Sequence, residues 1–231
     1  MLIKGIQKTT LLDYPGKIAS IIFLAGCNFR CPYCQNPSLV NGYEELPTIP
    51  EREIIGFLRG RLKWLDGVCI TGGEPTLHKD LPRFISKVKK DGLLVKLDTN
   101  GSNPGMLEGL LGEGLLDYVA MDIKVPLQRY AEVVKTKVDM NKIQRSVEMI
   151  RGSGLDYEFR TTVVPGLLGE EDITEITNWL KGSKKYYLQQ FRNHDTLDKA
   201  LREVSPYTPE ELHSLAAIAS KGFETCEVRG I

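Results

Sequence analysis

Short apolar runs rich in β-branched residues alternate with segments of helical periodicity along most of the chain. Six runs predict core strands, over Ile18–Ala25, Val68–Thr71, Leu94–Asp98, Tyr118–Asp122, Tyr157–Val164 and Tyr186–Phe191. Between them, apolar residues recur three and four positions apart, the spacing of one buried helix face; one such segment runs from Ile54 to Leu65. Phe223–Val228 predicts a seventh, short or edge strand. The alternation is typical of βαβ units around a parallel sheet.

The number of βα units limits the architecture. No low-complexity linker divides the 231 residues, so we expect one domain over residues 1–231. Its core covers roughly residues 11–192, and a helical and strand extension covers 193–231. Six units are too few for an ordinary eight-fold closed barrel, which favours an α/β fold with a partial, TIM-like (β/α)6 barrel. In such barrels the chemistry gathers at the carboxyl ends of the strands.

Composition excludes some classes of partner. Thirty basic and thirty acidic residues give a net charge of zero, so bulk electrostatics predicts no attraction to nucleic acid or membrane. The start of the chain lacks the apolar core of a signal peptide, and no apolar stretch approaches the length of a membrane span. Five cysteines, three of them clustered, favour metal binding in a reducing compartment over disulfides. We therefore expect a soluble cytoplasmic protein.

Cys27, Cys31 and Cys34 follow the first predicted strand within eight residues. Three closely spaced thiolates suit an iron–sulfur cluster whose fourth iron lacks a protein ligand. Such an iron can bind a substrate or cofactor and do chemistry on it. The alternative is a structural zinc site, but zinc typically takes four ligands, and no fourth His or Cys stands nearby.

Other polar residues follow the next predicted strands. They are Gly72-Gly73-Glu74, Asp98-Thr99-Asn100-Gly101, and Asp122 with Lys124. Each has a plainer interpretation: the glycines as a tight strand-to-helix turn, and the aspartates as helix caps or ion-pair partners of Lys124. The plainer interpretation of Arg160 and Arg192 is that they are solvated charges at strand ends. Cys69 and Cys226 are expected to be small buried apolar residues.

Two motifs carry a resemblance to a known family. Cys27-x-x-x-Cys31-x-x-Cys34, with Tyr33 before the last cysteine, resembles the cluster signature of the radical S-adenosylmethionine (SAM) superfamily. Gly72-Gly73-Glu74-Pro75 resembles the methionine-binding motif of that superfamily. The resemblance implies a partial barrel of the radical SAM type, a 4Fe–4S cluster, and SAM chelated to the unique iron. An electron from the cluster then cleaves SAM to a 5′-deoxyadenosyl radical.

Further stretches narrow the resemblance to the activases of glycyl radical enzymes. Leu12–Lys17, Asp98–Gly101, Met121–Lys124 and Arg160–Gly166 resemble the pyruvate formate-lyase activating enzyme and its relatives. The sequences of Cys31–Asn36 and Gln190–Arg192 most closely resemble those of the activating proteins of anaerobic ribonucleoside-triphosphate reductase. The resemblance implies a glycyl radical enzyme as partner and a flavodoxin- or ferredoxin-type reductant. We expect Leu12–Lys17 to lie beside the barrel mouth and to serve in docking.

The resemblance also assigns site residues. It implies that Gly72 and Gly73 approach the methionine moiety of SAM, and that Glu74 or neighbouring backbone carbonyls accept from its ammonium group. Lys124 and Arg160 balance the SAM carboxylate, Tyr33 and Val164 contact the adenine side, and Gln35 and Arg192 stand where the formate-lyase activase has histidines near the ribose. Asp98, Thr99 and Asp122 hold a monovalent cation, whose oxygen ligands suit a hard ion. No side chain is assigned as acid or base.

Two other functions remain open on the sequence. One is a radical SAM enzyme that acts on a small molecule or another macromolecule. The other is a non-catalytic electron carrier with a single 4Fe–4S cluster, which would not bind SAM. The Gly72-Gly73-Glu74 motif favours SAM binding.

Overall fold

The computed structural model describes all residues from 1 to 231, and they group into two compact units. Unit 1 consists of Met1–Asn28, Ser38–Ala120 and Lys142–Asp156. Unit 2 consists of Phe29–Pro37, Met121–Asn141 and Tyr157–Ile231. Each unit thus draws on three separate stretches of chain. This grouping does not test the expectation of a single domain, which stays a prediction.

Strands and helices alternate along the chain. The strands are β1 (Ile3–Thr10), β2 (Ala19–Leu24), β3 (Gly67–Gly72), β4 (Leu94–Thr99), β5 (Tyr118–Asp122), β6 (Asp156–Val163), β7 (Ser183–Gln190) and β8 (Phe223–Arg229). The α-helices are α1 (Pro37–Val40), α2 (Glu51–Arg59), α3 (Leu81–Lys90), α4 (Pro104–Gly112), α5 (Tyr130–Val134), α6 (Met140–Gly152), α7 (Glu170–Leu180) and α8 (Pro209–Ala219). No helix combines the length and apolar character needed to cross a membrane.

In unit 1 the neighbouring strands follow the chain order. β1 pairs with β2 in antiparallel fashion, whereas β2 with β3 and β3 with β4 are parallel. The register places Leu24 opposite Gly72, and Ile70 opposite Leu97. Because parallel strands end on the same edge of a sheet, the residues after β2, β3 and β4 meet at one edge. That edge carries the unit 1 site residues.

The local sequence explains how the helices of unit 1 form. In α3 the buried residues Leu81, Phe84, Ile85 and Val88 recur at helical spacing and make one apolar face. α4 begins with Pro104 in its first turn, and the Asn103 side chain accepts from the Met106 N–H at 3.4 Å. Proline and a side-chain cap suit a helix start because the first N–H groups lack partners within the helix.

Unit 2 contains a second parallel arrangement. β6 pairs with β7, and β7 with β8, with Val163 opposite Gln190. Arg229 of β8 donates to the fully buried Glu158 of β6 through both guanidinium nitrogens, at 2.7 and 2.9 Å. The same guanidinium lies over the Tyr187 ring, 3.3 Å from its centre. A bidentate, stacked arginine of this kind fixes the last strand more firmly than a lysine would.

All six predicted core strands and the seventh strand are present, with ends shifted by up to three residues. The helix expected between Ile54 and Leu65 is shorter than predicted, since α2 ends at Arg59. Trp64, which lies within the Ile54–Leu65 segment of helical spacing, is 75% exposed. β1 was not predicted, because only its two end residues are buried and the rest of its pattern is weak.

The position expected for Leu12–Lys17 is wrong. This segment connects β1 to β2, and Thr10 lies opposite Ala19 at the amino end of β2. Cys27 follows the other end of the same strand. The segment therefore lies at the amino ends of the strands, away from the edge that carries the unit 1 site residues.

Candidate functional site

The two glycines after β3 allow a close backbone approach in unit 1. The Gly73 N–H donates to the Leu24 carbonyl, and the Glu74 N–H to the Gly26 carbonyl, both at 2.8 Å. A Cβ on Gly73 would stand 2.0 Å from the Gly26 oxygen, and one on Gly72 would stand 2.2 Å from the Leu24 oxygen. Gly72 also has φ +125°, a conformation that favours glycine. The motif therefore fixes the turn that leads directly into Cys27.

Glu74 is fully buried and anchors the segment after β4. Its Oε1 accepts from the Thr76 N–H and hydroxyl and from the Thr99 hydroxyl, the last at 2.7 Å. Its Oε2 accepts from the Asn100 N–H at 2.6 Å. Burial raises the pKa of Glu74, and these hydrogen bonds oppose that shift. With four donors around it, the carboxylate has a positioning role within unit 1.

Asn100 continues this network towards the first cysteine. Its side-chain Nδ2 is 3.0 Å from Asn28 Oδ1 and 3.9 Å from Cys27 Sγ. Its Oδ1 accepts from the Ser102 N–H at 2.9 Å. Asn100 is only 5% exposed. No role was predicted for Asn100 from the sequence. The only sequence signal for a functional role of Asn100 was its position in an Asp-Thr-Asn-Gly stretch after a predicted strand.

The oxygen ligands predicted for a cation have protein partners. Asp98 forms an ion pair with Lys96, whose side chain is 1% exposed. The Thr99 hydroxyl donates to Glu74 and accepts from the Gly101 N–H at 3.1 Å. Asp98 is thus an ion-pair partner of Lys96, whereas the plainer interpretation of the sequence had named Lys124 as the partner. A cation at Asp98, Thr99 and Asp122 stays a prediction.

In unit 2 the other two cysteines lie in one turn. The Cys34 N–H donates to the Cys31 carbonyl at 3.0 Å. The turn is held from a distant part of the chain, since the Leu197 N–H donates to the Cys34 carbonyl at 3.1 Å. Gln35 Nε2 donates to the Arg192 carbonyl at 2.8 Å, which ties the turn to the end of β7. Gln35 and Arg192, predicted as a pair of SAM contacts, are thus adjacent.

Tyr33, within the same turn, carries a buried hydroxyl without a hydrogen-bond partner. The residue is 3% exposed. Burial and the nearby Cys31 thiol raise its pKa well above the ordinary value, so the group is a neutral phenol. Buried polar groups are nearly always hydrogen-bonded in native proteins. An unpaired hydroxyl beside Cys31 is therefore what a ligand-binding turn would leave in the unliganded protein.

A charged cluster follows β5 in unit 2. Asp122 is paired with Lys124 Nζ and with the Arg160 guanidinium, both at 2.9 Å. Burial alone would raise the pKa of Asp122, but Arg160 and Lys124 outweigh it and hold that pKa below its ordinary value. Val164, after β6, is fully buried, and its carbonyl accepts from the Leu167 and Leu168 N–H groups. Arg192 is exposed.

The predicted site residues therefore fall into two sets. Unit 1 holds Cys27, Gly72, Gly73, Glu74, Asp98 and Thr99, and unit 2 holds Cys31, Tyr33, Cys34, Gln35, Asp122, Lys124, Arg160, Val164 and Arg192. Neither unit by itself has three His, Cys, Asp or Glu side chains arranged for a metal ion. The ligand sets predicted for the cluster and the cation stay predictions. The donor chemistry fits a cluster, since none of the three cysteines forms a disulfide.

Comparison with known proteins defines the family. The family model of the Radical SAM superfamily matches residues 21–180. A Methanocaldococcus jannaschii protein, named provisionally as a glycyl-radical enzyme activating enzyme, is 36% identical over 100% of this chain and 96% of its own length. The pyruvate formate-lyase-activating enzyme of Clostridium pasteurianum is 30% identical over 84% of this chain and 82% of its own length. The chain belongs to the Radical SAM superfamily.

A solved structure extends the comparison to the fold. Streptococcus suis SuiB bound to S-adenosylmethionine gives a TM-score of 0.68 at 14% identity, over 90% of this chain and 51% of SuiB. This chain therefore spans about half the length of SuiB. The likeness confirms the predicted fold class, and the relatives confirm the resemblance to glycyl-radical enzyme activases. The protein is a radical SAM enzyme, and a 4Fe–4S cluster and SAM are the cofactors of its family.

Proposed function

We propose that this protein is an activase that installs a glycyl radical in a partner enzyme. The observation that carries the proposal is the 36% identity to a provisionally named glycyl-radical enzyme activating enzyme over the whole chain. A 4Fe–4S cluster held by Cys27, Cys31 and Cys34 would supply the electron for the reductive cleavage of SAM, and the hydrogen atom would be taken from a backbone glycine of the partner enzyme. The similarity to a pyruvate formate-lyase-activating enzyme over 84% of the chain supports the same class of substrate.

Within this function, the residues of the chain have binding and positioning roles. Cys27, Cys31 and Cys34 hold the cluster. Because four protein donors already surround Glu74, backbone carbonyls at Gly72 and Gly73 are the better acceptors for the SAM ammonium group. Holding the reactants in place can supply much of the rate in a reaction that needs no acid or base from the protein.

A further set of residues, in unit 2, is assigned to SAM binding in this proposal. Arg160 and Lys124 balance the SAM carboxylate while they also pair with Asp122. The turn that carries Tyr33, whose buried hydroxyl has no hydrogen-bond partner, is assigned to the adenine side of SAM together with Val164. Gln35 and the end of β7 at Arg192 border the ribose. The sequences of Cys31–Asn36 and Gln190–Arg192 support anaerobic ribonucleoside-triphosphate reductase as the partner. A flavodoxin- or ferredoxin-type protein is proposed as the electron donor from the family resemblance alone.

The decisive test is anaerobic reconstitution with iron and sulfide, followed by reduction and addition of SAM and a candidate anaerobic ribonucleotide reductase. We expect a glycyl doublet in the electron paramagnetic resonance (EPR) spectrum and an equivalent amount of 5′-deoxyadenosine. 5′-Deoxyadenosine without the doublet would refute the proposed partner and keep the radical SAM assignment. A reduced cluster that does not bind SAM would instead identify an electron carrier.

Two cysteine variants test the assignment of a single cluster ligand. Cys31→Ala should lose SAM cleavage under dithionite, since the cluster loses a thiolate ligand. Cys226→Ala is the matched control, because its thiol contacts only the Ala216 carbonyl, at 3.7 Å. We expect the control to retain its iron content and cleavage rate. A Cys31→Ala variant that still cleaves SAM would contradict the ligand assignment.

A further inference from the structure

A continuous hydrogen-bond path within unit 1 runs from a buried carboxylate to the first cysteine. Glu74 Oε2 accepts from the Asn100 N–H at 2.6 Å, and this contact fixes the backbone on which the Asn100 side chain stands. The Ser102 N–H donates to Asn100 Oδ1 at 2.9 Å, so the amide oxygen is occupied. The two contacts orient the Asn100 amide with its NH2 group towards Cys27.

The NH2 group is shared between two acceptors. Its nitrogen is 3.0 Å from Asn28 Oδ1 and 3.9 Å from Cys27 Sγ. An amide has two N–H donors, so both acceptors can be served at once. Asn28 is held in turn, because its own Nδ2 donates to the Ser102 hydroxyl at 2.9 Å. The arrangement leaves one Asn100 N–H directed at the cysteine sulfur.

A hydrogen bond to a cluster thiolate changes the electron affinity of the cluster. The N–H dipole withdraws negative charge from the sulfur, and it stabilises the reduced cluster more than the oxidised one because the reduced cluster carries one more negative charge. Hydrogen bonds to the sulfurs are one of the means by which proteins set iron–sulfur potentials. Asn100 is 5% exposed, so water competes little for this contact.

We propose that Asn100 sets the reduction potential of the cluster by donating to the Cys27 thiolate, and that Glu74 is the residue that positions it. The inference rests on the proposed function, since it takes Cys27 as a cluster ligand. It assigns a task to Asn100, and it explains why a carboxylate with no access to solvent is kept beside the glycine motif. The donor makes the cluster easier to reduce by the physiological electron donor.

The test is a redox titration of the reconstituted full-length protein, followed by the EPR signal of the reduced cluster without SAM or any partner enzyme. Asn100→Leu has a similar volume and no donor. We expect about a threefold fall in the ratio of reduced to oxidised cluster at a fixed potential, or about 28 mV at about 59 mV per tenfold change. Asn100→Asp places a negative charge at the same position, and its potential should fall further.

Asn178→Leu is the matched control. It makes the same substitution at an exposed position of α7, outside the hydrogen-bond path from Glu74 to Cys27, so its potential should equal that of the wild type. Equal potentials for wild type, Asn100→Leu and Asn100→Asp, at equal iron content, would overturn the inference alone. A wild-type protein that assembles no 4Fe–4S cluster would overturn the proposed function as well. If Asn100→Leu does not fold, Asn100→Asp decides the matter.

Discussion

Replacing Gly73 by alanine tests whether the glycine motif is required by the protein backbone itself. The added Cβ would stand 2.0 Å from the Gly26 oxygen and 2.6 Å from the Gly26 carbonyl carbon. Real Cβ atoms essentially never come within 3.0 Å of such a neighbour. Both obstacles are backbone atoms, so a change of side-chain rotamer cannot relieve the contact. The segment from β3 must move away from the end of β2 by about 1 Å.

The size of the effect follows from the contacts that this movement disturbs. Overpacking in a well-packed region typically costs about 1–3 kcal/mol. The same movement weakens the hydrogen bonds from the Gly73 and Glu74 N–H groups, both 2.8 Å long, and each contributes about 0.5–1.5 kcal/mol. We therefore expect Gly73→Ala to lower the free energy of unfolding by about 2–6 kcal/mol.

The assay is urea denaturation of the protein without cofactors, followed by circular dichroism. Gly109→Ala is the matched control, since Gly109 lies inside α4 and a Cβ added there would have no neighbouring atom within 4 Å. Alanine in a helix interior is favoured over glycine by about 1 kcal/mol, so the control should be stabilised. A Gly73→Ala variant as stable as the wild type would refute the close-approach argument and leave cofactor binding as the reason for the motif.

Two further predictions concern buried charges. Lys96→Met should lower the free energy of unfolding by about 3–5 kcal/mol, since it removes the buried ammonium group that pairs with Asp98 and so breaks a buried ion pair. Arg59→Ala, which breaks an exposed pair with Asp91, should cost less than about 1 kcal/mol in the same urea assay; equal losses would contradict the argument. Because the pKa of Asp122 lies below its ordinary value of 3.8, its ion pairs stabilise the fold above that pH, and this stabilisation is lost as the pH falls towards the folded-state value. Asp122→Asn should therefore show a flatter decline in stability below about pH 4 than the wild type. Parallel plots of unfolding free energy against pH for the two proteins would show that Arg160 and Lys124 do not lower the pKa of Asp122.

The core strands could be predicted because their signal is local. Runs such as Tyr118–Asp122 are apolar and buried up to their last residue, and that strand has the predicted bounds. β1 could not be predicted in this way. Its Lys4, Gln7 and Lys8 interrupt the apolar pattern, and the strand forms because it pairs with β2, which is a contact between distant residues.

The candidate site shows the same limit. The glycine motif was recognisable in the sequence, but the partners of Glu74 were not, since Thr99 and Asn100 lie 25 and 26 residues further along. Only the pairing of β3 with β4 brings them together. The region of Trp64 shows the opposite error, a helix predicted where there is none. The helical spacing of apolar residues continues past Arg59, but α2 ends at Arg59. Periodicity predicts a helix face and does not by itself predict where the helix ends.

The placement of the β1–β2 connection has a practical consequence. β2 has six residues, so about 20 Å of extended strand separates the end of the β1–β2 connection from the carboxyl end of β2. Lys17 is exposed. A fluorophore or surface tether attached there would report the association of a partner protein while leaving the reactive end of the molecule unobstructed.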